Sequence, residues 1–403
     1  SERLGRSSMQ EVVIVSGART PIGRFGGAFK DVSASELGSL VIKSALDQAN
    51  IRPDQVDEVV LGNALQTAEA GYAARLASLG AAIPDEVPTI AINRQCSSGL
   101  EAINMAALMV KTGEVDIVIA GGIENMSQSP YLIGYKARFD GLGMGDGALT
   151  DSLTKGLGCP VNYYHMGVTA ENVAERFGVS REDQDELAAI SHQRAVAAIK
   201  DGRFDHQISS VTVPQRRGDP IIVSRDEGPR EDSTVERLAQ LTPVFKKDGT
   251  VTAGNASSIN DGAAAVVIMS AEKAAELGVK PRMRWHTRAV SGVEPAIMGI
   301  GPVPAVRKAL GKAGMSIDDI GLIELNEAFA SQALYCMREL DMNMEKTNVN
   351  GSGISLGHPV GATGAIMTVK LMEEMELRGD ELGLVTMCVG GGQGVATIFQ
   401  RTE

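Results

Sequence analysis

Residues 45–65, "ALDQANIRPDQVDEVVLGNAL", and residues 309–329, "ALGKAGMSIDDIGLIELNEAF", read as two copies of one unit. At a fixed offset, Ala45, Leu46, Ala49, Asp54 and Ala64 meet Ala309, Leu310, Ala313, Asp318 and Ala328, while Val56 and Leu61 meet Ile320 and Leu325. Each copy runs from a helix end through a polar link into an apolar strand. The likeness continues outward, from "TIAIN" and "CSSGLEAINMAALMVKTGEVDIVIAGG" in the first copy to "NVNGSG" and "GHPVGATGAIMTVKLMEEMELRGDELGLVTMCVGG" in the second. Both pass through a strand, a Gly-rich turn, a long helix, a short link and a strand. The period is too long for a solenoid, so the pattern predicts two duplicated α/β halves. A pseudo-twofold axis would bring equivalent turns together, and turns at strand ends are where α/β ligand sites form. The βα alternation predicts a mostly parallel sheet with helices on its faces.

The first half opens with the strand "EVVIVSGA" and a helix over 33–50 that Ser33 or Ser35 can cap. Beyond Ile123 the texture changes to charges, prolines and glycines, with helical patterns around 169–177 and 181–201. A long excursion of this kind usually serves function. The domains are therefore expected at 9–127 plus 250–281 for the N-terminal half, 128–249 for an inserted loop domain, and 282–403 for the C-terminal half.

The 403 residues are 43% apolar and 22% charged, as in ordinary globular proteins, and the 46 glycines cluster between apolar runs. A net charge of −12 without a basic, aromatic-laced stripe argues against nucleic acid. Cys96, Cys159, Cys336 and Cys388 lie far apart, with no CxxC pair, so neither a metal site nor a disulfide framework is expected. Free thiols favour a reducing compartment. No apolar run is long enough for a membrane span. The opening "SERLGRSSM" lacks the apolar stretch of a secretory signal, and Met9 reads as the native start.

Four turn-placed side chains are candidates for chemistry. Cys96 follows a strand and precedes a helix, whose N-terminus would favour thiolate, with Gly99 leaving room for a substrate; a small buried cysteine fits the stretch equally well. His358, in "LGHPVGATGA", occupies the equivalent turn of the other half, although a histidine there can simply cap a helix. Cys388 ends a strand that runs into "GGGQG", whose backbone N–H groups could hold an anion. No helix follows, which argues against a dinucleotide fingerprint. Asn326, in "ELNEAFA", offers an amide to orient a water or carbonyl, or serves as a turn residue. Two thiols, an imidazole and an amide could provide a nucleophile, a base and an oxyanion site. The second thiol would be an acid/base near neutral pH, able to take a proton from carbon.

The motifs "NRQCSSGL", "NEAFA", "GHPVGATG" and "CVGGGQG", in that order, resemble the four active-site motifs of the thiolase family, over essentially the whole chain from Met9. "YYHMG" and "TVTAGNASSINDGAA" are most similar to its short-chain acetyl-CoA acetyltransferases, whereas serine at position 97 also occurs in its degradative members. The resemblance implies a five-layered αβαβα sandwich with an inserted CoA-binding loop domain, assembled as a homodimer or a homotetramer, a dimer of dimers, in the cytoplasm. It implies reversible condensation of two acetyl-CoA to acetoacetyl-CoA and CoA, with coenzyme A as substrate and product and no further cofactor. Cys96 would carry the acetyl group, His358 would activate it, and Cys388 would deprotonate the second acetyl-CoA. Asn326 and His358 would form one oxyanion hole, and the N–H groups of Cys96 and Gly390 the other. Arg230 would meet the nucleotide end of CoA, while Arg216 and Arg217 would either add positive charge there or lie on a solvated surface. Leu157, His165, Met166, Ala253, Gly254, Ser257, Ala328 and Phe329 would line the pantetheine and acyl channel. Arg237 stands where some relatives have serine near the adenine. The alternative within the family is a longer-chain 3-ketoacyl-CoA thiolase of fatty-acid β-oxidation. A β-ketoacyl synthase would use histidines where Cys388 stands, and a non-catalytic carrier would lack one of the four residues.

Overall fold

The computed structural model describes residues 9–67 and 69–402. The leader ahead of Met9, read above as foreign to the native start, lies outside them.

In the N-terminal half the main elements are β1 (Val12–Arg19), α1 (Ala34–Ala49), β2 (Glu58–Gly62), α2 (Ala73–Gly80), β3 (Thr89–Ile92), α3 (Ser98–Lys111), β4 (Ile117–Asn125) and β5 (Asn260–Ser270). Between β4 and β5 run the long helices α4 (Met166–Phe177) and α5 (Arg181–Lys200). The C-terminal half contains β6 (Met283–Gly292), α6 (Pro302–Ala313), β7 (Leu322–Leu325), α7 (Ala330–Glu339), α8 (Thr363–Arg378), β8 (Leu382–Val389) and β9 (Gln393–Arg401). Ser33, not Ser35, caps α1, through a capping box with Glu36.

Strand order shows the duplication directly: β3-β2-β4-β5-β1 in one half and β7-β8-β9-β6 in the other. Where β3 would recur, Thr347 makes a single parallel bridge to Ile323. The two sheets join where β1 meets β6, through the pairs Val13↔Arg284 and Ile14↔Met283. Only β2–β3, β2–β4 and β7–β8 are parallel. The sheet is thus mixed rather than mostly parallel. Each half ends in a strand that pairs antiparallel with the one before it, β5 on β4 and β9 on β8, the latter after a turn at residues 390–392.

Successive residues of the inner strands face opposite layers, as the pleat requires. Val60 and Val118 face a core shared with Leu100 and Ile103 of α3, Ile366 and Val369 of α8, and Val385 of the other half. Val59, Leu61 and Ile119 pack beneath α1 and α2. Ile323, Leu325 and Leu384 pack beneath α6 and α7. The result is five layers, αβαβα, with α3 and α8 as the central one.

Those two helices cross at their first turns. A Cβ on Gly364 would lie 2.5 Å from the backbone N of Leu100, and one on Gly99 would lie 2.9 Å from the carbonyl O of Gly361. Gly99 therefore serves the helix crossing rather than substrate approach. The crossing brings the turn ahead of α3, with Cys96, against the turn ahead of α8, with His358.

Candidate active site

A cleft of about 620 Å³ opens onto this crossing, and Cys96, His358 and Gly390 all line it. Cys96 sits in a short 3₁₀ turn, Gln95–Ser97, that runs directly into α3. Its neighbour Gln95 holds a left-handed φ of 47°, an uncommon conformation for a residue with a side chain. Burial pushes the Cys96 thiol above its usual range, while N–H groups of Gly390 and of Cys96 itself pull it down. The helix N-terminus does not leave a resting thiolate, because desolvation outweighs those donors.

His358 is buried, and its Nδ1 lies 2.6 Å from the Thr363 hydroxyl. That hydroxyl donates to the Pro359 carbonyl at 2.8 Å, so it accepts from Nδ1–H and leaves the lone pair on Nε2. Nε2 has no protein partner among the described residues. Burial holds the imidazole down at about 4, so it is neutral at pH 7.

Cys388 does not line the cleft. It is fully buried in a cluster with Met298, Ala328 and Phe329, against which Met166 packs. Burial first, and then Cys96, raises its thiol well above the usual range. In this structure Cys388 therefore rests as the neutral thiol. Asn326 is also buried, with neither amide atom hydrogen-bonded. Its Oδ1 would be 2.7 Å from a Cβ on Gly353, so glycine there lets the chain pass.

The rest of the cleft comes from both halves and the β4–β5 excursion. His165 caps α4 by accepting the Gly167 N–H on Nδ1 and stacks on Phe245 at 4.7 Å. Phe245 in turn meets Phe329 edge-on. Leu157 and Met126 pack near Cys96. Ala253, Gly254 and Ser257 line the cleft, and Ser257 N–H donates to the carbonyl of Ala328. Arg230 and Arg24, both exposed, add two guanidinium groups.

Four further residues singled out in the sequence lie outside the cleft lining. Arg237 pairs with Asp232 and is absent from the lining. Arg216 and Arg217 are exposed in the turn between the short strands Val211–Val213 and Ile221–Val223, also outside the cleft. Ser97 is fully buried and donates to the Arg94 carbonyl at 3.1 Å, so it does not shape the acyl pocket. His192, unremarked in the sequence, lines the cleft, and its Nδ1 accepts the Arg230 N–H at 3.2 Å. Burial, then the Arg230 charge, lowers His192 to about 4. A histidine inside the helical pattern of 181–201 gave no signal of that role.

A thiol and a neutral imidazole on one largely apolar cleft, with backbone N–H donors near the thiol, are the groups that acyl transfer through a cysteine requires. Residues 12–272 match the thiolase N-terminal domain and residues 279–401 the thiolase C-terminal domain. The chain is 49% identical over 394 residues to the acetyl-CoA acetyltransferase of Pseudomonas aeruginosa, covering 98% of this chain and all of the relative. The crystal structure of the Bacillus anthracis acetyl-CoA acetyltransferase superposes with a TM-score of 0.95 at 47% identity, covering 98% of this chain and 100% of that one. Human mitochondrial 3-ketoacyl-CoA thiolase in complex with CoA superposes with a TM-score of 0.94 at 42% identity, with the same coverage. The chain belongs to the thiolase family and is an acyltransferase.

Proposed function

We propose that the protein is an acetyl-CoA C-acetyltransferase, condensing two acetyl-CoA to acetoacetyl-CoA and CoA, and running in reverse as a thiolase. The observation that carries this reading is that Cys96, His358, with its free Nε2, and Gly390 line a single cleft, with Cys388 buried in the cluster that holds Phe329 and packs against Met166.

Cys96 gives its proton to His358 Nε2 and attacks the thioester carbonyl. The N–H groups of Cys96 and Gly390 hold the oxyanion, and CoA leaves with the proton from the imidazolium. Cys388 then passes its own proton to the freed His358 Nε2, and the resulting thiolate takes a proton from the methyl of a second acetyl-CoA. The enolate oxygen accepts from His358 Nε2–H and, through a water, from Asn326. The enolate carbon attacks acetyl-Cys96, a C–C bond forms, the C–S bond to Cys96 breaks, and the departing thiolate recovers the proton held on His358 Nε2. Desolvation favours this charge-spreading route, because preorganised donors count for more where water is excluded.

Residues 128–249 act as the CoA-binding loop domain between halves at 9–127 plus 250–281 and 282–403. Arg230 takes the phosphate-bearing end of CoA, and no cofactor beyond the CoA thioester takes part. Four free cysteines support a cytoplasmic setting. A homotetramer is supported by two exposed features: strand β3, with Ile90 outward, and the hairpin containing Tyr131, Leu132 and Ile133.

The second reading, a longer-chain 3-ketoacyl-CoA thiolase, is favoured by the close superposition on the human mitochondrial enzyme. Thiolysis of acetoacetyl-CoA against longer 3-ketoacyl-CoAs separates the two. Preference for acetoacetyl-CoA supports the first, and preference for the long chains sinks it.

A further inference from the structure

Glu124 lies at the end of β4, fully buried, with no lysine or arginine paired to it among the described ion pairs. Its carboxylate accepts four N–H groups instead. Gly361 N–H donates at 2.6 Å, Leu65 N–H at 3.1 Å, Ala64 N–H at 3.2 Å and the Asn63 side-chain amide at 2.8 Å. Gly361 belongs to the turn that carries His358. Ala64 and Leu65 belong to the turn after β2, in the other half. That second turn is tied to the nucleophile: the Asn93 amide donates to the Ala64 carbonyl at 3.0 Å, and its Oδ1 accepts Gln95 N–H at 2.9 Å, one residue before Cys96. One carboxylate thus connects the imidazole's turn to the thiol's turn across the junction of the two halves.

We propose that Glu124 is a positioning residue for the acyl transfer proposed above, fixing His358 relative to Cys96 by hydrogen-bonding the two turns together. Its charge works against a thiolate on Cys96, so an electrostatic bystander would slow the nucleophile. Its benefit comes through the geometry it imposes. The corresponding position of the other half, at the end of β8, is Val389, so this clamp exists once in the molecule.

The test uses Glu124→Gln in the full chain at pH 9. Burial pushes the carboxyl up to about 8, so it is ionised there. Glutamine keeps the shape but faces the N–H donors with an NH₂ group. The first readout is iodoacetamide labelling of Cys96, followed by peptide mass spectrometry, which needs no assumption about the substrate. Slower labelling, by about tenfold, supports the proposal; equal or faster labelling, as expected if only a charge were removed, overturns it. The second readout is acetoacetyl-CoA thiolysis. A fall in kcat of about 100-fold with KM within about threefold supports it; wild-type kcat in a folded variant overturns it. If wild type lacks thiolysis activity, the proposed function fails, and the labelling result still decides the role of Glu124. If Glu124→Gln does not fold, Asn63→Ala, which removes one donor and leaves the carboxylate, replaces it. A several-fold loss of Cys96 labelling rate is then expected, and an unchanged rate overturns the proposal.

Discussion

The two halves share a topology and differ most at one connection. Between β8 and β9 the chain turns within residues 390–392, with Gly391 and Gly392 at φ of 87° and 89°. A Cβ on Gly392 would lie 2.4 Å from the Val293 carbonyl, so the turn admits little else. Between β4 and β5 the same connection spans residues 126–259 and holds α4 and α5. One half thus contributes a compact turn next to a thiol and a backbone donor, and the excursion of the other supplies much of the cleft wall. A duplicated scaffold can divide labour in this way, because β strands fix the ends of a connection but not its length.

The sharpest way to break this division is at the thiols. Cys96→Ala is expected to abolish thiolysis and condensation, by about 10⁴-fold or more, with the circular-dichroism spectrum unchanged. Retained turnover would remove the covalent route. Cys388→Ala strikes the compact turn instead. It should reduce condensation by about 10²–10⁴-fold yet still release CoA in a single burst as Cys96 is acetylated. Loss of the burst would mean that the two thiols do not divide their tasks. Gly364→Ala tests the helix crossing that joins the halves. The methyl meets Leu100 backbone, and overpacking of about 1–3 kcal/mol should appear as a lower Tm together with reduced kcat. A stable, fully active variant would show that the crossing tolerates slack. Arg230→Ala probes the long connection. It should raise KM for CoA thioesters by about tenfold and leave kcat nearly intact; a fall in kcat would instead give the excursion a part in the chemistry.

Much of the architecture was legible because duplication leaves apolar spacing behind. Val56 and Leu61 meet Ile320 and Leu325 because each fills the same layer. The strand directions were not legible, since β5 and β9 find their neighbours through contacts distant in sequence. The site motifs marked Cys96 and His358, but the protonation of the thiols depends on burial, which a motif does not state. Gly99 was misread because its neighbour, Gly361, is far along the chain. Glu124 left a faint signal, a carboxylate ending the otherwise uncharged strand "IVIAGGIEN", and only its four donors reveal its use.

The seam between β1 and β6 has a consequence for growth. It merges the halves into one ladder, so among the described residues the ladder has two ends. At the β7 end Ile323 already bridges Thr347, and at the β3 end the strand is bare. A ladder open at one end can add a copy of itself once, around a twofold axis, and is then capped at both extremities. The same sheet that builds the cleft thus presents one unpaired edge among the described residues, at β3.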